Sequence, residues 1–388
     1  MIHKTLFPLW LLGGIFLFLY SFTQVDLSLT FSQASIFQQV QKSFQYIGWF
    51  NRPLSAYLYI GIIFYLSILF IITLFAISKN KISKKSLWWI IILVAVILTP
   101  SYNAFSYDLF NYIFDARIVS HYGQNPYEFR PLDFATDPML SFMRSTHRVY
   151  PYGPVWLGIT APITFVSHEI FALSFALFKI VGTLAFLGTA FFIGKLAAHL
   201  KMKNTNFSIA LFALNPLILI EGLVSSHNEI VMMFFAVMSF YFLFTKRHTF
   251  SLMGFFISVG IKYATFIFLP IYIAKLFIKK LSDRSLMQFT IALGILAVVI
   301  TSVASGQNKN PEFQPWYLLL VAPFISFSDN KFIKSLLLAV SFVVLFSYVP
   351  FLYNGSWPVQ IVAIKNTLVV IGILIGIIFY YLYKTKIK

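Results

Sequence analysis

The sequence predicts an all-α polytopic membrane protein, and three observations carry that prediction. Of 388 residues, 59% are hydrophobic and only 11% charged, whereas soluble domains carry about 25% charged residues. Apolar runs recur along almost the whole chain, each about long enough to cross roughly 30 Å of hydrocarbon. Lysine-rich connections separate these runs, and 29 Lys+Arg against 12 Asp+Glu give a net charge of +17. In a chain of this kind the basic excess reports anchoring on the cytoplasmic side, so it does not imply nucleic acid. There are no cysteines, which excludes disulfides, thiolate chemistry and Cys-ligated metal.

The expected crossings, in order, are residues 6–22, 56–77, 86–99, 171–196, 207–224, 230–244, 286–303, 316–327, 332–349 and 359–383, about ten in all. The first lacks a small-residue cleavage site and is expected to be retained. Basic connections mark the cytoplasmic side: Lys4; Lys79 to Lys85; Lys195, Lys201 and Lys203; Lys246; Lys275, Lys279 and Lys280; Lys331 and Lys334; and Lys384, Lys386 and Lys388. Both termini are therefore expected inside. Two apolar stretches break the alternation if each crosses once. Residues 152–166 fit an interfacial helix on the outer leaflet. Residues 251–273, basic at both flanks, fit a re-entrant pair of half-helices meeting near residues 260–263. The division expected is two N-terminal crossings (1–85), a central module (86–330) and a C-terminal pair (331–388).

Five of the seven arginines, Arg52, Arg117, Arg130, Arg144 and Arg148, then lie outside, with nine of the twelve acids. These arginines fit simple pairing with neighbouring acids; they also place the residue with the fork geometry for phosphate on the side that should be poor in positive charge. Residues 100–169 form the one long polar loop, and loops of this length are functional or disordered. Its aromatic content argues for order. Asp108, Tyr112 and Asp115 share a helix face at i, i+4 and i+7, with Asn111 beside them and Arg117 on the opposite side. Gly123 and Asn125-Pro126 end that helix, and Tyr150-Pro151-Tyr152-Gly153-Pro154 opens the interfacial one.

A carboxylate beside arginines at a membrane surface suits removal of a proton from a hydroxyl while cations hold a phosphate. Asp108 equally suits a helix start favoured by the macrodipole. Glu221 lies within an expected crossing, which makes it a functional candidate. His227 and Glu229 fit either a solvated pair or a wall opposite Asp108. Lys179 and Lys262, also at membrane depth, fit a lipid phosphate, an acid partner or a snorkelling cation. Trp316 and Tyr317 fit an interfacial belt even without a function.

Taken together, Asp108-x3-Tyr112 followed by Arg117, Gly123-x-Asn125-Pro126-Tyr127, Tyr152-Gly153-Pro154, Asn215-Pro216 with His227-Asn228-Glu229, and Pro315-Trp316-Tyr317 resemble the GT-C superfamily of polytopic glycosyltransferases. They resemble specifically its bacterial polyprenol-phosphate-mannose-dependent mannosyltransferases. The resemblance covers about residues 86–330 and rests on the order of the motifs and their common outer placement. It implies a sugar donor carried on a polyprenyl phosphate, a lipid or glycan acceptor, inversion at the anomeric carbon, and a catalytic carboxylate in the first large outer loop, where Asp108 matches. Substrate and phosphate contacts are expected from Tyr112, Asp115, Arg117, Arg148, Tyr152, Lys179, His227, Asn228, Glu229, Lys262, Trp316 and Tyr317.

Two crossings precede the usual first helix, and Glu229 stands where Asp is commoner. The Asp-x-Asp pair by which the metal-dependent oligosaccharyltransferases hold a cation is absent, so no metal and no cofactor are expected. The location implied is the cytoplasmic (plasma) membrane, with the site on its extracytoplasmic side. The competing readings are a transporter or flippase of lipid-linked saccharides and an assembly protein without chemistry. Against transport, the two halves show no internal repeat, and the polar residues gather at the outer surface.

Overall fold

The computed structural model describes residues 2–168, 170–278, 280–306 and 311–385. Expectations resting on the side chains of Lys4, Glu169, Lys279, Asn308, Lys309, Asn310, Lys386 and Lys388 lie outside what is described. Among the described residues every regular element is helical.

α1 (Ile2–Thr23) is followed by the short α2 (Ser35–Gln45), α3 (Arg52–Ser78) and α4 (Lys84–Leu98). α1 packs on α3 and α4, and Trp10 Nε1 donates to Thr73 Oγ1 at 3.0 Å, so a polar group inside the bundle is satisfied. α2 turns Gln41 and Gln45 inward onto the backbone carbonyls of Leu29 and Asp26 while Ile36 and Val40 stay exposed. An apolar outer face on a short helix suits a lipid boundary.

The 100–169 loop contributes α5 (Asp108–Ser120), as the spacing predicts, and α6 (Pro154–Val166), which opens after the turn at residues 150–154. Gly123 (φ +63°) lets the chain turn away after α5, and Pro154 sits at the first position of α6, where its missing N–H costs nothing. α7 (Phe171–His199) is a 29-residue helix. α8 (Thr205–Ala213) and α9 (Pro216–Ile218) meet at a bend of 49°, with a wider π turn, Leu219–Val224, continuing α9. Pro216 causes the bend, because it cannot donate back into α8. Asn215 caps the new start by accepting from Leu217 N at 3.0 Å.

α10 (Glu229–Phe244) and α11 (His248–Ile261) pair as an antiparallel hairpin. The chain becomes extended at Lys262 (φ −153°, ψ 128°), then resumes through the turn Tyr263–Phe268 and α12 (Leu269–Phe277). α13 (Asp283–Ala304), α14 (Ala322–Ile325), α15 (Lys331–Val344), α16 (Val349–Asn354) and α17 (Ile361–Thr385) complete the chain.

Among the described residues six helical segments are long and apolar enough to cross a membrane: Thr5–Thr23, Arg52–Ser78, Phe171–His199, Asp283–Ala304, Lys331–Asn354 and Ile361–Leu382. The bent pair makes a seventh if counted as one span. The chain is thus a multi-pass helical membrane protein, and the three other expected crossings are shorter. Residues 86–99 lie in the 15-residue α4 and 230–244 in the 16-residue α10. Residues 316–327 are not one helix but a 3-10 turn, Pro315–Leu320, and the four-residue α14. Pro315 and Pro323 interrupt that segment, and its burial among the other helices is what allows irregular backbone there.

Candidate active site

Asp108 is the first residue of α5. Its backbone N–H donates to Ser106 Oγ at 3.1 Å, and a carboxylate is favoured at that end of a helix. One turn on, the buried Tyr112 ring stands edge-on to Tyr152 at 5.1 Å and to Trp156 at 5.4 Å. These contacts fix the inner face of α5 against α6. Asp115, further along the face, is 4% exposed.

The broken segment 205–224 builds the second wall. Its π turn, a feature often found at functional sites, carries Glu221, and the left-handed Ser226 (φ +49°) then swings His227 toward α5. His227 Nδ1 lies 3.4 Å from Asp108 Oδ2, and Nε2 lies 3.3 Å from Glu221 Oε2. The ring is stacked on Trp316, with centroids 4.5 Å apart and planes 20° from parallel. Tyr348 OH donates to Glu221 Oε1 at 2.8 Å. Neither His227 nor Glu221 exposes side-chain surface, whereas the Asp108 side chain keeps 30% of its own.

The third wall depends on two glycines. Gly153 N donates to Ile261 O at 3.1 Å, and a Cβ on Gly153 would stand only 2.1 Å from Gly260 O. Backbone meets backbone here, which seats Tyr152 beside the extended Lys262. Lys262 Nζ lies 5.7 Å from the Tyr152 ring centre and donates to Glu229 Oε1. Arg148 lies over the same ring at 5.5 Å and approaches Tyr152 OH at 3.5 Å. Such placements suit the attraction of a cation to an aromatic face.

These charges set one another. Burial pushes the Asp108 carboxyl up, but His227, Arg148 and Lys262 outweigh it and leave Asp108 below its ordinary value. Burial pulls the His227 ring down, while Asp108 and Glu221 raise it further, to about 9. Asp115 is pushed up by burial to about 7, with Arg148 opposing and Asp108 adding. Burial lowers Arg148, yet Tyr152, Asp115 and Asp108 together hold it above its ordinary value. At neutral pH the site therefore presents an ionised Asp108 among cations. Buried polar atoms along it, including Asn111 Oδ1, Glu229 Oε2 and both ends of the Asn228 amide, find no hydrogen bond among the described residues. A hydroxyl-rich ligand is the kind of group that supplies such bonds.

Asp108, Tyr112, Arg148, Tyr152, His227, Glu229, Lys262 and Trp316 are thus brought together. Asn228 joins them through its N–H, 3.5 Å from Tyr112 OH, and Tyr317 is 5.8 Å from the Trp316 ring. Two expected contacts fall elsewhere. Arg117 points away from Asp108 and pairs with Asp137 at 2.8 Å, lining a separate cavity of about 160 Å³ with His121, Thr164 and Ser174. Lys179 is 1% exposed and donates to Leu223 O, to Val224 O at 2.8 Å and to Ser101 Oγ at 3.2 Å. Its three N–H donors are committed, two to the end of the π turn and one to Ser101, so none faces a phosphate. Tyr348, Trp156 and the Gly153–Gly260 approach were not anticipated. Only Glu221 carried a signal, its ionisable group at membrane depth.

A multi-pass helical bundle with a partly exposed carboxylate, flanking cations and aromatic walls has the features of a membrane-embedded active site. The particular family follows from comparison: residues 11–278, well over half of the chain, match the family described as "Alpha-(1->6)-mannopyranosyltransferase, N-terminal domain". The chain belongs to this GT-C-type mannosyltransferase family. The matched region begins within α1, so the first two long helices are part of it and not additions before it. No curated protein and no solved structure matches the chain.

Proposed function

We propose that the protein moves mannose from a polyprenyl-phosphate donor to a hydroxyl of a lipid or glycan acceptor on the outer face of the cytoplasmic membrane, in one inverting displacement. The acceptor oxygen attacks the anomeric carbon and gives its proton to Asp108. The bond from that carbon to the phosphate oxygen breaks, and its electron pair leaves with the polyprenyl phosphate. A positioned base contributes about 10² to 10⁴ in rate. The leaving phosphate needs no general acid, and its growing charge is met by Arg148 and Lys262, both beside the Tyr152 ring. These two cations serve where metal-dependent relatives use a divalent ion, so none is expected here.

The observation that carries this reading is the pairing of a 30% exposed, ionised Asp108 with Arg148, the one arginine of the 100–169 loop with no carboxylate in ion-pair range among the described residues. This arrangement supports the reading of a base and a phosphate ligand in one site. The test is transfer of labelled mannose by the purified protein in lipid vesicles, from polyprenyl-phosphate mannose or from a nucleotide-linked mannose. Transfer from the lipid-linked donor alone is expected; transfer from the nucleotide sugar alone overturns the donor assignment.

A further inference from the structure

Both ring nitrogens of His227 face carboxylates at ion-pair distance, Asp108 on Nδ1 at 3.4 Å and Glu221 on Nε2 at 3.3 Å, and neither nitrogen has another hydrogen-bond partner among the described residues. A neutral imidazole has one N–H and one lone pair, so between two carboxylates it would aim the lone pair at a negative oxygen. Only the doubly protonated ring has a donor for each. The ring is also held in plane: Trp316 stacks on it, and no part of it reaches solvent. Behind it, Glu221 is anchored by Tyr348 OH, so one line of contacts runs from the segment after α15 to the first residue of α5. At the end of this line Asp108 has Oδ2 turned to the ring, which leaves Oδ1 for an incoming hydroxyl.

We propose that His227 is a positioning residue for sugar transfer: held as an imidazolium between Asp108 and Glu221, it orients the Asp108 carboxylate, keeps it ionised, and leaves one oxygen for the acceptor. The inference rests on the reading of Asp108 as the base. It gives a role to a fully buried histidine, and to Glu221 and Tyr348, which the mechanism alone does not use.

The groups acting on this pair are few. Asp108 is faced by Arg148 and Lys262 from the outer walls, by Asp115 along α5, and by the Tyr152 and Tyr112 rings, with Glu229 acting on the same rings. Glu221 is faced by Tyr348 and Tyr59, and more remotely by Lys365. None of these donates to the ring nitrogens, so removing His227 or Glu221 changes the protonation of the pair directly.

Nitrogen-15 histidine labelling with NMR, using His227→Gln to assign the signal, reads the ring state whether or not a substrate is known. A doubly protonated ring at neutral pH is expected, titrating near about 9, with the midpoint lowered by about one unit or more in Glu221→Gln. A neutral ring at neutral pH, or a midpoint unmoved in Glu221→Gln, overturns the proposal. The kinetic counterpart is the pH dependence of kcat for mannose transfer. His227→Gln should move the acid limb upward by about one to three pH units and change donor KM less than about threefold. A limb unmoved from wild type, or a loss confined to KM, contradicts the role; Glu221→Gln gives the same reading should His227→Gln fail to fold. If wild type transfers no mannose, the functional reading fails separately, and the NMR result still decides the state of the ring.

Discussion

Arg148 lies 5.5 Å over the Tyr152 ring and within 3.5 Å of its hydroxyl. The other arginines of the same loop are tied to acids: Arg117 to Asp137 at 2.8 Å, Arg130 to Asp133 at 3.5 Å and Arg144 to Asp26 at 3.9 Å. A planar guanidinium braced on an aromatic ring, with its charge unspent, is suited to bidentate contact with a phosphate.

Arg148→Gln is therefore expected to lower kcat/KM for the lipid-linked donor by about 10² to 10³, the usual loss for one group that stabilises developing charge. Arg148→Lys should restore only a minor part, because the ammonium lacks the fork. Steady-state kinetics with varied donor concentration check this; full activity in Arg148→Gln would remove Arg148 from the phosphate site.

Lys179 is expected to act on stability and not on the donor. Lys179→Met leaves the carbonyls of Leu223 and Val224 without their buried donor, at about 1–3 kcal/mol for each unsatisfied group. A lowered thermal midpoint in detergent with unchanged donor KM in the folded fraction is the predicted result. A raised KM at unchanged stability would instead assign Lys179 to the phosphate.

Gly153→Ala should loosen the seat of Tyr152. The added methyl would meet Gly260 O at 2.1 Å, and forced overpacking costs about 1–3 kcal/mol. Both thermal stability and transfer rate are expected to fall. Gly158→Ala, inside the adjoining α6 with nothing within 4 Å of its added carbon, is the control and should lower neither.

The sequence made some parts of this site legible and not others, for physical reasons. The inner face of α5 follows from local periodicity, and its end from the left-handed Gly123 and from Asn125-Pro126. The bend at Pro216 falls inside the expected crossing 207–224: the Asn215-Pro216 pair carries the turn signal, but hydropathy, which reports burial and not helix continuity, runs straight through it. The segment 316–327 was misread as a crossing for the same reason. Contacts across long separations leave no local trace: His227 meets Asp108 across 119 positions, and Tyr348 meets Glu221 across 127. Lys179 fits a phosphate, an acid partner or a snorkelling cation in the sequence because its actual partners, two backbone carbonyls and the Ser101 hydroxyl, leave no signature there.

The central claim is that Asp108 is the base in mannose transfer from a polyprenyl phosphate. The most direct test is the rate of labelled mannose transfer from polyprenyl-phosphate mannose to membrane acceptors, comparing wild type with Asp108→Asn at equal folded amounts. Asparagine keeps the size and polarity of the side chain but cannot accept the proton. The account predicts transfer by wild type and a loss of about a hundredfold or more in the variant. Equal rates in the two proteins would contradict it.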